Sequence, residues 1–263
     1  MKVMELQQNS EEWLEFRKGK SGGSEFKDLW IAGLPLKSKM IEYLEKDGQM
    51  LSPEDKKTSA SVASLLEPEE LAELKLQSEP KKKYYEIIAD RVARPITPND
   101  YIEELHGEPF TMMARGHILE PEALAAFEEK TGKELTKKSV VWIREDNENI
   151  YISPDGYITD KDGIIREAVE VKCLGSAEII KAYLTNSYPK EYEPQVIKYF
   201  VVNENLEKLN FILYTDVIVG LELQIFEITR KEVEERIEEA KAFEDAVMKL
   251  IDRDARKIEE LSF

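Results

Sequence analysis

The chain has one cysteine, Cys173, and two histidines, His106 and His117, in 263 residues. A single thiol excludes an internal disulfide. Neither it nor the histidines have partners at the spacing that structural zinc or an iron–sulfur cluster needs. No apolar run approaches the roughly 20 residues of a bilayer-spanning helix, so a membrane protein is not expected. Met1-Lys2-Val3-Met4-Glu5 lacks the apolar core of a signal peptide, and the expected location is the cytoplasm. Positive charge is scarce: 37 Lys and Arg face 54 Asp and Glu, for a net charge of −17. Such a chain is repelled by nucleic acid over long range, so a nucleic-acid enzyme of this composition must gather its cations in one channel. Carboxylates, in contrast, are what a metal site needs. Aromatic residues are not scarce: three Trp, eleven Tyr and nine Phe exclude a wholly disordered chain. The length is enough to bury a full core.

Asn9 with Glu12 reads as an N-cap and its capping-box partner, opening a short helix through Trp13, Leu14, Phe16 and Arg17. The Gly19–Ser24 stretch breaks it. Helical texture returns at Glu25–Ala32, Lys37–Lys46 and, after Thr97-Pro98, at Thr111–Lys130, whose apolar stripe includes Met113, Ile118, Leu124 and Phe127. Residues 47–83 are polar and low in aromatics, with helix formers at Pro68–Leu76, and read as a mobile insertion in a single domain spanning 1–263. From residue 140 the texture becomes β: Val140–Ile143, Ile150–Ile152, Ile164–Lys172, Leu209–Thr215 and Leu221–Ile228 are expected strands. Helices at Ser176–Leu184 and Pro194–Val202 interrupt them, and a charged helix over Lys231–Leu261 ends the chain. The expectation is an α/β or α+β fold with a central mixed sheet flanked by helices and a long C-terminal helix.

The chemistry concentrates in Ser153-Pro154-Asp155-Gly156 and Glu170-Val171-Lys172. Two strands joined by a tight turn bring Asp155 and Glu170 together. Alternation puts Glu170 and Lys172 on one face and Val169 and Val171 on the other. Two carboxylates beside an amine suit magnesium or manganese, and the lysine would orient or deprotonate water, or offset charge on a phosphoryl oxygen. A bare E-x-K is common in acidic chains. Its company here changes that: Glu120 precedes it on a helix, and Gln195 and Tyr199 follow one helical turn apart.

The ordered stretches W-L-E-F-R-K-G-K-S-G-G-S, A-R-G-H-I-L-E-P-E-A, S-P-D-G, E-V-K-C and Q-V-I-K-Y resemble the phage lambda exonuclease and YqaJ-type viral recombinase family of the PD-(D/E)xK nuclease superfamily. They span residues 13 to 199. The resemblance implies a restriction-endonuclease-like fold. It implies two Mg2+ ions per site, replaceable by Mn2+, held by Glu120, Asp155, Glu170 and the Val171 carbonyl. Lys172 would be the catalytic lysine, with Gln195 beside it. Arg17 and Ser24 would hold the 5′-phosphate of a DNA end, as an Arg fork and a hydroxyl over Gly-rich amides can. Tyr199 would contact the DNA. Where the family usually has a β-branched or small apolar pair, this chain has Gly22-Gly23.

The expected activity is metal-dependent 5′→3′ degradation of one strand of linear duplex DNA, leaving a 3′ overhang for single-strand annealing. The resemblance further implies a ring-shaped homotrimer, a single-strand annealing recombinase as partner, and a phage or prophage protein in a bacterial host cytoplasm. The alternatives are another PD-(D/E)xK nuclease, RecB-like or endonucleolytic, and a non-catalytic DNA-binding adaptor. Gly19-Lys20-Ser21 is not a P-loop, because Leu14 stands where the motif needs glycine and a helix precedes it. Cys173 reads as a small buried residue, Trp13 as core, and the C-terminal helix as a solvated amphipathic face or a subunit contact.

Overall fold

A computed structural model describes residues 1–79, 81, 83, 84, 86–88 and 112–262. The chain opens with β1 (Lys2–Glu5) and α1 (Glu11–Arg17), followed by α2 (Lys37–Lys46), α3 (Ser59–Ala63) and α4 (Pro68–Ser78). After α5 (Met112–Thr131) come β2 (Val140–Arg144), β3 (Asn147–Ile152), β4 (Gly156–Thr159) and β5 (Ile165–Lys172). Helices α6 (Ser176–Thr185) and α7 (Glu193–Val202), strands β6 (Lys208–Tyr214) and β7 (Leu223–Thr229), and α8 (Glu234–Glu259) complete the order.

The expected single mixed sheet is two sheets. One is antiparallel, β1-β2-β3; the other, β4-β5-β6-β7, is parallel only between β5 and β6. β1 was not legible, because its four residues are exposed and pair only with β2. The chain crosses from one sheet to the other through Ser153-Pro154-Asp155, which places Asp155 at the seam. β4, which lay between two turn signals and was not among the expected strands, forms with β5 the hairpin that brings Asp155 to Glu170. Its turn closes on the Asp160 side chain, which accepts from the amides of Asp162 and Ile164, both at 2.9 Å, with Gly163 at φ +80°.

Each face of the second sheet is covered by a helix. Ala123, Leu124 and Phe127 of α5 pack on Val169, Val171 and Ile212. On the other side, α7 touches β2, β3, β6 and α8, and every residue from Gln195 to Val202 is buried. The α5 stripe is Leu119, Ala123, Leu124 and Phe127; Ile118 is 64% exposed, which corrects its place in the expected stripe. Pro121 lies inside the helix without ending it.

Several further expectations are corrected. The cap of α1 is Ser10, whose hydroxyl accepts from the Trp13 amide at 3.2 Å, while Asn9 sits at φ +64° and turns the chain into it. Only Phe26–Asp28 of Glu25–Ala32 is helical, as one 3-10 turn. The stretch 47–83 is no loose appendage: Leu66 and Leu74 join Met40, Leu44 and Val62 in a small core, and Ala72 and Leu76 of α4 join the main cluster. The C-terminal helix is core, not a merely solvated face, because Ile237, Ala240, Phe243, Val247, Leu250 and Ile251 form a stripe that α4 and α7 cover. Thr97-Pro98 and His106 lie outside the described residues.

Candidate active site

The β4–β5 register pairs Gly156 with Val169, so Asp155 continues it opposite the Glu170 end of β5. Its Oδ2 accepts from the Val171 amide at 2.7 Å, a bond that fixes the carboxyl across the seam. Glu170 is 2% exposed. Its Oε1 accepts from Gln195 Nε2 at 2.6 Å and from the Lys172 ammonium, and its Oε2 accepts from the Tyr199 hydroxyl. Alternation on β5 therefore works as the sequence demands: the valines face α5, while Glu170 faces α7.

Arg17, Ser24, Glu120, Asp155, Glu170, Val171, Lys172 and Gln195 all line one cleft of about 720 Å3. Residues up to 178 positions apart are brought together by α1, the glycine loop, α5, both edges of the β4–β5 hairpin and the first turn of α7. Burial first, and then the charges of Glu170 and Glu120, hold the Asp155 carboxyl well above the ordinary carboxylate range. Burial and Glu170 also raise Glu120. At Lys172, burial pulls the amine down, but Glu170 and Asp155 outweigh it and leave it above its usual value. Lys172 is thus an ammonium, suited to offsetting charge rather than to abstracting a proton. Its Nζ also stands 5.4 Å from the Tyr192 ring centre.

Tyr199, expected to contact DNA, is fully buried, and its hydroxyl donates to Glu170 and, at 3.4 Å, to the Ser153 carbonyl, so in this fold it bears on a carboxylate. Gln195 likewise acts on Glu170, and through it on Lys172. Among the described residues, no group of three or more His, Cys, Asp or Glu side chains converges closely enough to hold a metal ion as it stands. The donor chemistry nevertheless fits a hard divalent cation. Three carboxylates share one ammonium, two of them are disfavoured as anions by the rest, and Glu120 has no hydrogen-bond partner among the described residues.

Arg17 and Ser24 line the same cleft. Arg17 Nε donates to the Tyr151 hydroxyl at 3.0 Å, Nη2 pairs with Glu25 at 3.1 Å, and the guanidinium lies 4.3 Å from the Trp13 ring centre. Glu25 also holds Lys83 at 3.1 Å. Ser24 is exposed at the cleft. Sequence reasoning missed Glu25, although it follows Ser24 directly, and Ser153, whose Oγ is buried without a partner among the described residues and lines the same cleft. The signal for Ser153 was there, one residue before the proline of S-P-D-G.

Gly22-Gly23 has a packing reason. A Cβ on Gly22 would meet the Tyr151 hydroxyl at 2.7 Å, and one on Gly23 would meet Ile152 at 2.5 Å. The loop lies flat on β3, where only hydrogen fits. Gly23→Val is expected to lift it, costing about 1–3 kcal/mol and displacing Ser24. A melting curve and the ratio of rates on phosphorylated and unphosphorylated duplex ends check both halves.

Cys173 and His117 line the cleft as well. Burial pushes the Cys173 thiol up to about 11, so it is not a thiolate nucleophile at neutral pH.

No curated protein matches the chain. An alkaline exonuclease, LHK-Exo from Laribacter hongkongensis, aligns with a TM-score of 0.59 at 20% identity, covering 96% of this chain and 100% of that one. The structure of LHK-Exo in complex with dAMP gives 0.58 at 20% identity, with the same coverage. At that identity the likeness is one of fold, and it is the alkaline exonuclease fold. Among the described residues no helix is long and apolar enough to cross a membrane. The YqaJ-like viral recombinase domain matches residues 12–205, a stretch that contains every cleft residue from Trp13 to Gln195, and the chain belongs to that family.

Proposed function

We propose that the protein is a divalent-metal-dependent nuclease that degrades one strand of linear duplex DNA from the 5′ end and leaves a 3′ overhang for single-strand annealing. The observation that carries this reading is the joining, in one cleft, of Asp155, Glu170, Lys172 and Glu120 with Arg17 and Ser24. A hydrolytic centre that shares a cleft with an anion grip can act from a chain end. Glu120, Asp155 and Glu170, with the Val171 carbonyl, would hold Mg2+, two ions in this reading and replaceable by Mn2+. Bound there, the metal would activate water and offset charge on the scissile phosphate. Lys172 adds a fixed positive charge beside the developing oxyanion. Gln195 and Tyr199 hold Glu170 in its rotamer. Arg17 and Ser24 bind the terminal 5′-phosphate once Glu25 yields or shares the guanidinium, so contacts are to phosphate and not to sequence. A ring-shaped homotrimer and an annealing recombinase as partner belong to the same reading, as does a phage or prophage origin.

The test is incubation with linear duplex bearing a 5′-phosphate or a 5′-hydroxyl, and with covalently closed circles, in magnesium and in EDTA. Mononucleotides from linear DNA alone, faster from phosphorylated ends and absent in EDTA, support the proposal. A cut circle replaces it with an endonuclease, and bound but uncut DNA replaces it with an adaptor.

The carboxyl shifts give a second expectation. Asp155 and Glu120 are raised, so the metal-free fold keeps protons that the unfolded chain releases, and stability falls as pH rises from about 4 towards their folded values. A cation replaces those protons, so its stabilising effect grows with pH. Saturating magnesium is expected to add about 2–3 kcal/mol near pH ~8 and far less near pH ~5. Thermal melts in magnesium and EDTA at both pH values read this. An equal shift at both, or an unchanged shift in Asp155→Asn, places the cation elsewhere.

A further inference from the structure

Lys198, Glu244 and Ser21 form a cluster that the proposed chemistry does not use. Lys198 and Glu244 are both 0% exposed and paired, and Ser21 is 1% exposed. The Ser21 hydroxyl donates to Glu244 Oε1 at 2.5 Å, and Lys198 Nζ reaches the Ser21 Oγ at 3.3 Å. The second oxygen of Glu244 has no partner among the described residues. A buried pair of this kind is costly to desolvate and contributes little net stability against apolar residues of the same volume. Its place in the fold suggests another use.

Lys198 lies on the same buried helix, α7, as Gln195 and Tyr199, three residues after one and adjacent to the other. Those two hold Glu170. Lys198 holds the segment that runs into the anion grip, and holds it at both ends. It bonds Ser21 on one side of Gly22-Gly23-Ser24, and its Nζ stands 4.8 Å from the ring centre of buried Phe26 on the other. Ser21 is in turn tied to β3, its amide donating to the Asn149 carbonyl at 2.9 Å and its carbonyl accepting from the Tyr151 amide at 3.2 Å. One buried helix therefore sets both the Glu170 carboxylate and the glycine loop. Glu244 orients the lysine from α8, outside the family match at 12–205.

We propose that Lys198, oriented by Glu244, is a positioning residue that fixes the glycine loop, and with it the 5′-phosphate grip, in register with the carboxylate centre. Its specificity role rests on the proposed end-dependent nuclease, whereas its hold on the loop does not. The pair thus couples the C-terminal helix to recognition of the DNA end.

The test uses the full-length protein carrying Lys198→Met together with Glu244→Leu, which removes both charges without stranding either, and separately Ser21→Ala, which cuts only the hydroxyl link. Three readouts are taken: melting, amide hydrogen exchange at Ser21 and Tyr151, and kcat and KM on duplexes with 5′-phosphate or 5′-hydroxyl ends. The double variant is expected to melt within a few degrees of the parent. Exchange at Ser21 and Tyr151 should quicken about tenfold, while β5 amides stay as they were. Preference for phosphorylated ends should fall about tenfold through KM, with kcat on hydroxyl ends little changed. Ser21→Ala should move the same readouts in the same direction, and it decides the matter if the double variant does not fold. Unchanged exchange in a folded variant overturns the proposal, as does a retained phosphate preference in a parent that has one. If exchange quickens but the parent itself ignores the 5′-phosphate, the end-gripping reading fails and the hold of Lys198 on the loop stands.

Discussion

Lys172→Ala is expected to lower the rate of duplex-end hydrolysis by roughly 10²–10³-fold or more, with folding intact. Lys172 is the ammonium that balances Glu170 and Asp155, and its Nζ bonds directly to Glu170. Without it, charge that develops on a phosphoryl oxygen meets carboxylates alone. The fold should survive, because Glu170 keeps Gln195 and Tyr199, and Asp155 keeps the Val171 amide. Lys172→Arg should not restore the rate, since a planar fork cannot replace a compact ammonium at the end of a strand. Steady-state kinetics on linear duplex, beside a melting curve and magnesium titration of each variant, measure this. A variant within tenfold of the parent rate removes Lys172 from the chemistry.

The largest expected effect on stability comes from a residue outside that chemistry. Lys198→Met alone leaves the Glu244 carboxylate buried with only the Ser21 hydroxyl for company, and that is expected to cost about 3–5 kcal/mol. For a domain of this size the melting temperature should fall by about 10 °C. Adding Glu244→Leu should recover most of the loss, because the cost lies in the stranded charge and not in the absent bond. A double-mutant cycle by denaturant unfolding gives the coupling directly. A single variant that loses under about 1 kcal/mol would show that water or a proton relieves Glu244, and the pair would then carry no positional constraint.

Local patterns in the sequence were enough for the catalytic half of the site. Period-two alternation in Glu170-Val171-Lys172 dictated which side chains share a face, and the turn residues Asp160 and Gly163 dictated the hairpin that brings Asp155 to Glu170. The spacing of Gln195 and Tyr199 put both on one face of a helix. These are short-range constraints, and the backbone geometry that imposes them does not depend on what packs above.

Long-range partners were hidden. Tyr199 looked available to a ligand, and only its burial beneath β2 and β3 made it a second hand on Glu170. Gly22-Gly23 looked like a departure from a pattern until β3 lay against it. The polar stretch 47–83 read as peripheral because its few leucines are scattered between α4 and the loops before it, and they form a core only when α2 and α8 close on them.

Glu244 shows the limit most clearly. In sequence it is one acid among many in a charged helix, and nothing local marks it as the one that faces inward. The sequence by itself determined the strand–turn–strand that carries the carboxylates, the amine and their order, because those depend on residues within a few positions of one another. The tertiary structure alone decided which charges are buried and paired. Burial and pairing are set by partners such as Ser21, Lys198 and Glu244, 223 positions apart at the extremes and brought within hydrogen-bonding distance only by the packing of α7 against α8.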